Sequence, residues 1–72
     1  MEKINPKYMY NAELGFASVL EFSENEESGE VIAFVRQGPE IQQWFFRTQD
    51  AVTDSTVWKL TAKPKVRSLR RR

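Results

Sequence analysis

Glu30-Val31-Ile32-Ala33-Phe34-Val35-Arg36-Gln37-Gly38-Pro39-Glu40-Ile41-Gln42-Gln43-Trp44-Phe45-Phe46-Arg47-Thr48 is the stretch that decides the fold. From Glu30 to Gln37 it carries five consecutive apolar side chains, Val31 to Val35. Apolar residues on both sides of a pleat imply a central or doubly covered strand. Gly38-Pro39 is a turn, because proline cannot donate to a ladder and glycine relaxes the backbone before it. Ile41 to Thr48 is the next strand. Trp44 and Phe46 lie on one of its faces, and Ile41, Phe45 and Arg47 lie on the other. Side chains alternate along a strand, so Trp44, Phe45 and Phe46 cannot all face inward. Either Trp44 and Phe46 fill the core and Phe45 lies outside, or the reverse holds. The surplus ring is then covered by the N-terminal arm or left as an apolar contact patch.

Downstream, Gln49 to Ser55 reads as a loop holding Asp50 and Asp54. Thr56 to Ala62 shows the cleanest period of two, with Trp58, Leu60 and Ala62 opposite Val57, Lys59 and Thr61. Lys63-Pro64 ends that strand. Upstream, Ser23 to Gly29 is a glutamate-rich loop closed by the Ser28-Gly29 turn signal. Residues 14–22 admit two readings. Phe16, Leu20 and Phe22 alternate with small or polar neighbours, which suits a strand. Asn11 could instead cap a helix over about 12–22, although Gly15 would weaken it by about 1 kcal/mol. The strand is the favoured reading. Residues 1–11, polar with Pro6 among them, form an arm or a short edge strand.

The chain is therefore expected to be mainly β. It should form a small antiparallel meander curled into a four- to five-stranded barrel or half-barrel, with flexible termini. An α+β fold with a helix at 12–22 is the alternative. Curling the meander removes exposed edges. Three parts are expected: an arm at 1–11, one β-rich domain at 12–62 and a basic tail at 63–72.

Composition narrows the function further. Seventy-two residues make one domain with marginal stability. There is no cysteine and no histidine. That removes disulfides, thiolate metal sites, the commonest zinc ligand and the commonest acid–base group near neutral pH. A serine nucleophile would lack its usual base. Ser55 and Lys59 stand about 13 Å apart if both sit on a strand. Glu40, Asp50 and Asp54 could form a carboxylate pair, although aspartates at such places are usually turn formers. The expectation is a non-enzyme without cofactor, metal or small-molecule substrate. No apolar run approaches the roughly 18–20 residues of a membrane span, and the N-terminus lacks the apolar stretch of a secretory signal. A cytoplasmic location and no membrane partner are expected.

Charge is unevenly spread. Residues 1–30 hold two lysines against seven glutamates, net −5, and residues 31–72 hold nine basic against three acidic residues, net +6. Lys63, Lys65, Arg67, Arg70, Arg71 and Arg72 fall within the last ten residues with no acid among them. Such a segment cannot bury itself and is expected to be mobile. It suits phosphate contacts, an acidic protein surface or a localisation signal. Arg36 and Arg47 flank the ring cluster Trp44-Phe45. Aromatic and arginine side chains on a sheet hold single-stranded nucleic acid, and the same pairing is enriched at protein–protein hot spots. The expected contact residues are Arg36, Trp44, Phe45, Arg47, Lys63, Lys65, Arg67, Arg70, Arg71 and Arg72. The leading expectation is a small binding module associated with nucleic acid or a ribonucleoprotein. The alternative is a protein-binding regulator, inhibitor or accessory subunit of a larger machine. The acidic loop (Glu21, Glu24, Glu26, Glu27, Glu30) lacks the aspartate, asparagine and glycine pattern of a calcium site.

Overall fold

A computed structural model describes residues 6–54 and 57–69. Among them are seven strands and one 3₁₀ turn, at Thr48–Asp50. The strands are β1 (Tyr8–Asn11), β2 (Gly15–Asn25), β3 (Glu30–Gln37), β4 (Glu40–Arg47), β5 (Ala51–Asp54), β6 (Val57–Leu60) and β7 (Lys65–Ser68). They make one sheet in the order β5-β6-β1-β2-β3-β4-β7. The mainly-β expectation holds, and residues 15–25 are strand rather than helix.

The hairpin read from the sequence supplies the fifth and sixth strands of that order, each paired on both sides. β3 and β4 pair antiparallel from Glu30↔Arg47 to Gln37↔Glu40, which leaves Gly38-Pro39 as a two-residue connection. Gly38 has φ 59°, and a glycine first in such a loop matches its twist to that of the strands. Val31, Ala33, Val35, Trp44 and Phe46 are buried on the inner face. Ile32, Phe34 and Phe45 lie half-buried on the outer face. This is the first of the two arrangements the ring cluster allowed.

The sheet curls strongly without closing. Trp58 of β6 packs edge-on to Phe22 at 4.8 Å and to Phe46 at 6.1 Å. Four strand steps separate β6 from β4. In a flat sheet they would lie about 19 Å apart. Curling wraps the inner face around the two indole rings, and β5 and β7 remain as free edges.

Several expectations change. The sheet has seven strands and is mixed, not a four- to five-stranded antiparallel meander, because β1 and β6 run parallel, from Tyr8↔Val57 to Asn11↔Leu60. Residues 8–11 are not an arm or an edge. They pair on both sides, and Met9 and Asn11 are buried. Part of the expected 49–55 loop is strand β5, paired with β6. The expected basic tail contributes β7, which pairs with Gln42–Phe45 of β4. Two further contacts hold it: the Leu69 N–H donates to the Ile41 carbonyl at 2.9 Å, and the Ser68 hydroxyl donates to Glu40 Oε2.

β2 departs from simple alternation. Its register to β3 shifts between Val19 and Glu21, a β-bulge at Leu20. An extra residue reverses which parity faces inward. Ala17 and Val19 face the core before the bulge, and Phe22 packs against it afterwards. Phe16 and Leu20 are exposed on the outer side at 63% and 52%. Phe16, Leu20 and Phe22, which alternation placed on one face, are thus divided between the two.

Asn11 does not cap a helix, but it bonds as a cap would. Its Oδ1 accepts the Glu13 and Leu14 N–H groups at 2.9 and 3.2 Å, and its Nδ2 donates to the Ala62 carbonyl at 3.2 Å. It closes the β1–β2 turn and ties that turn to the end of β6. At the other hairpin, Gly29 has φ 75° and donates to the Asn25 carbonyl at 2.7 Å. Its own carbonyl accepts from the Thr48 N–H and hydroxyl at 2.7 and 3.0 Å.

Candidate functional site

Residues two apart along a strand share a face, and paired residues on neighbouring strands share that face too. The register therefore sorts the outer face into rows. The first row holds Phe16, Tyr10 and Lys59. The next holds Tyr8, Ser18, Arg36 and Ile41. After the bulge come Glu21, Phe34, Gln43 and Arg67, then Ser23, Ile32, Phe45 and Lys65. Asn25, Glu30 and Arg47 form the last. The two chemically mixed sides of β3 and β4 thus face a surface on which rings and cations alternate.

At the Phe45 end of this surface lies a cleft of about 510 Å³. Phe45, Arg47, Lys63 and Lys65 line it together with Glu30 and Asp50. Asp50 immediately precedes β5 and Lys65 opens β7, so the cleft sits between the starts of the two free edges. Three cations meet two carboxylates there, leaving a net +1 beside one half-buried ring. That set can stack a planar group and pair with an anion. The residues lining the cleft carry no hydroxyl, thiol or imidazole.

The fold treats the ten expected contact residues differently. Phe45, Arg47, Lys63 and Lys65 converge on the cleft. Arg36 and Arg67 are exposed on the same outer face. The Arg36 Nε–H donates to the Gly38 carbonyl at 3.4 Å, a weak bond that leaves the guanidinium largely free to turn outward. Lys63 pairs with Glu13 at 3.3 Å, with both side chains about two-thirds exposed (64% and 65%), so the pair contributes little to stability. Trp44 cannot be a contact residue. It is 0% exposed on the inner face, and its indole N–H donates to Gln42 Oε1 at 2.7 Å. Arg70, Arg71 and Arg72 lie outside the described residues, as does Ser55.

Glu40 and Asp50 do not form a carboxylate pair. β4 runs between them, on the order of 20 Å of extended chain, against the 5–9.5 Å that glycoside hydrolysis requires. In the acidic hairpin, Glu24 Oε2 accepts the Thr48 hydroxyl at 3.0 Å, and Asn25 Oδ1 accepts the Glu27 and Ser28 N–H groups at 3.0 and 3.4 Å. Among the described residues no group of carboxylates is placed to hold a metal ion. None of the described helices is long and apolar enough to cross a membrane.

Sequence reading missed Tyr8, Tyr10, Phe16 and Phe34 as surface residues. The alternation Tyr8-Met9-Tyr10-Asn11 was the available signal for the first two. Phe16 was hidden by the bulge, which periodicity does not reveal. Tyr10 and Phe16 pair across β1 and β2 with ring centroids 4.6 Å apart. Comparison with protein-family models, with curated proteins and with solved structures finds no match to this chain.

Proposed function

We propose that the chain is a small non-catalytic binding module that engages nucleic acid, alone or within a ribonucleoprotein, through its outer sheet face. The observation that carries this reading is the cleft in which Phe45 stands beside Arg47, Lys63 and Lys65. A ring offers a face to any base, and cations neutralise phosphates whatever the sequence. The excess of positive charge in residues 31–72 supports the same reading through long-range attraction of a polyanion. Arg70 to Arg72 would extend the phosphate contacts beyond β7.

One observation favours a second reading. β7 is a sheet edge with all four residues exposed, and such an edge can accept a strand from a protein partner. Lys65 and Arg67 on that edge are also what guards an edge against unwanted pairing. Recovery of the tagged chain's partners from lysate, with and without nuclease, separates the two. Nucleic acid recovered with the chain, and its loss in an Arg47→Gln/Lys65→Gln variant, supports the first. A stoichiometric protein that survives nuclease replaces it with the second.

A further inference from the structure

We infer that the ligand is a single strand, held with its bases separated along the outer face from the cleft to the Tyr10–Phe16 pair. This rests on the nucleic-acid reading and names the form of nucleic acid. Four successive rows each hold a ring and a cation. They are Phe45 with Lys65, Phe34 with Arg67, Tyr8 with Arg36, and the Tyr10–Phe16 pair with Lys59. The rings step diagonally from β4 to β3 and on to β1 and β2.

The spacing selects the ligand. Rows on one face advance two residues, about 6.8 Å in an antiparallel sheet. Stacked bases in a duplex advance about 3.4 Å per nucleotide. A duplex cannot present a base to each ring, because its base faces are already covered by their neighbours. Because the track also crosses strands about 4.8 Å apart, successive rings stand about 8, 12 and 7 Å from one another, so a strand opened to about twice the duplex rise spans each step with one to two nucleotides and finds a ring and a cation in every row. Four rows thus define a minimum site of about five nucleotides.

Exposure fits this use. Tyr8 and Phe16 are 47% and 63% exposed, and Leu20 beside them is exposed as well. Large apolar side chains grouped on an open face usually mark a contact. Two acidic residues fall in these four rows: Glu21 shares a row with Arg67, and Asp54 of β5 continues the Tyr8 row through Val57.

The test is fluorescence anisotropy of the full chain with a labelled single-stranded octamer and with the same octamer as a blunt duplex. Phe16→Ala and Tyr8→Ala are the variants, since both remove exposed rings. The single strand should bind at least tenfold more tightly than the duplex. Each variant should weaken single-strand binding about 5- to 150-fold, the range for losing one stacked base, and leave duplex binding unchanged. A hexamer should bind and a dinucleotide should not. Equal binding of duplex and single strand, unaffected by either variant, overturns the track while the nucleic-acid reading stands. Binding of neither oligonucleotide overturns both.

Discussion

Phe16 and Phe22 test the bulge at Leu20, because simple alternation makes them equivalent and the register does not. Phe22→Ala removes a half-buried ring that meets Trp58 at 4.8 Å. Full burial of a phenylalanine is worth about 3–5 kcal/mol against alanine, and partial burial places this site in the lower part of that range or just below it. An edge-on ring pair adds about 0.5–1.5 kcal/mol. The expected loss is about 2–4 kcal/mol. At roughly 4–8 °C per kcal/mol for a domain of this size, Tm should fall by about 8–30 °C. Phe16→Ala removes a ring that is 63% exposed and pairs with Tyr10 at 4.6 Å on the outer face, so its cost should stay below about 1 kcal/mol. Thermal unfolding followed by far-ultraviolet circular dichroism measures both. Equal losses, or a larger loss for Phe16→Ala, would refute the bulge and the inward turn of Phe22.

Other consequences follow from the same packing. Leu60→Ala should cost about 2–5 kcal/mol, since Leu60 is buried beside Trp58, and an unchanged urea midpoint would contradict its place in the core. Asn11→Ala leaves two N–H groups and the Ala62 carbonyl without their partner. A loss of about 2–4 kcal/mol is expected in denaturant titration, and Asn11→Asp, which keeps the acceptor, should recover part of it. Removing Lys65 to Arg72 deletes four cross-strand pairs and uncovers the β4 edge. Stability should fall by about 1–4 kcal/mol and the truncated chain should self-associate in sedimentation, whereas a dispensable tail would leave both unchanged.

The last of these reverses what residues 63–72 suggest when read alone. Six cations in ten residues look like a solvated terminus, yet Val66 falls opposite Trp44, and four residues suffice to extend a sheet that already offers an edge. Local pattern served best where pairing was local. The β3–β4 hairpin, its turn and the shared face of Trp58 and Leu60 were legible from period-two alternation and Gly38-Pro39, whereas alternation left open whether Trp44 and Phe46 or Phe45 faced inward. It failed where the partner was distant. Nothing within Tyr8–Asn11 announces that Val57–Leu60 will lie parallel to it, some 50 residues on. Nor does composition distinguish Ala51–Asp54 from a loop until β6 offers it an edge. The candidate site followed the same division. Phe45 and its neighbouring cations could be named from strand position, whereas Trp44 was misplaced because exposure depends on which parity the rest of the sheet covers.

The claim that the outer face binds a nucleic-acid strand is tested most directly by the salt dependence of affinity. Full-length chain is titrated against a labelled single-stranded oligonucleotide between about 50 and 200 mM salt. Four phosphate contacts, one for each ring-bearing row, give a slope of log affinity on log salt of about −3, a fall of roughly 50-fold across that range. Arg36→Gln or Arg67→Gln should each flatten the slope by about 0.7. No binding at the low-salt end, or an affinity that does not change with salt, would contradict the account.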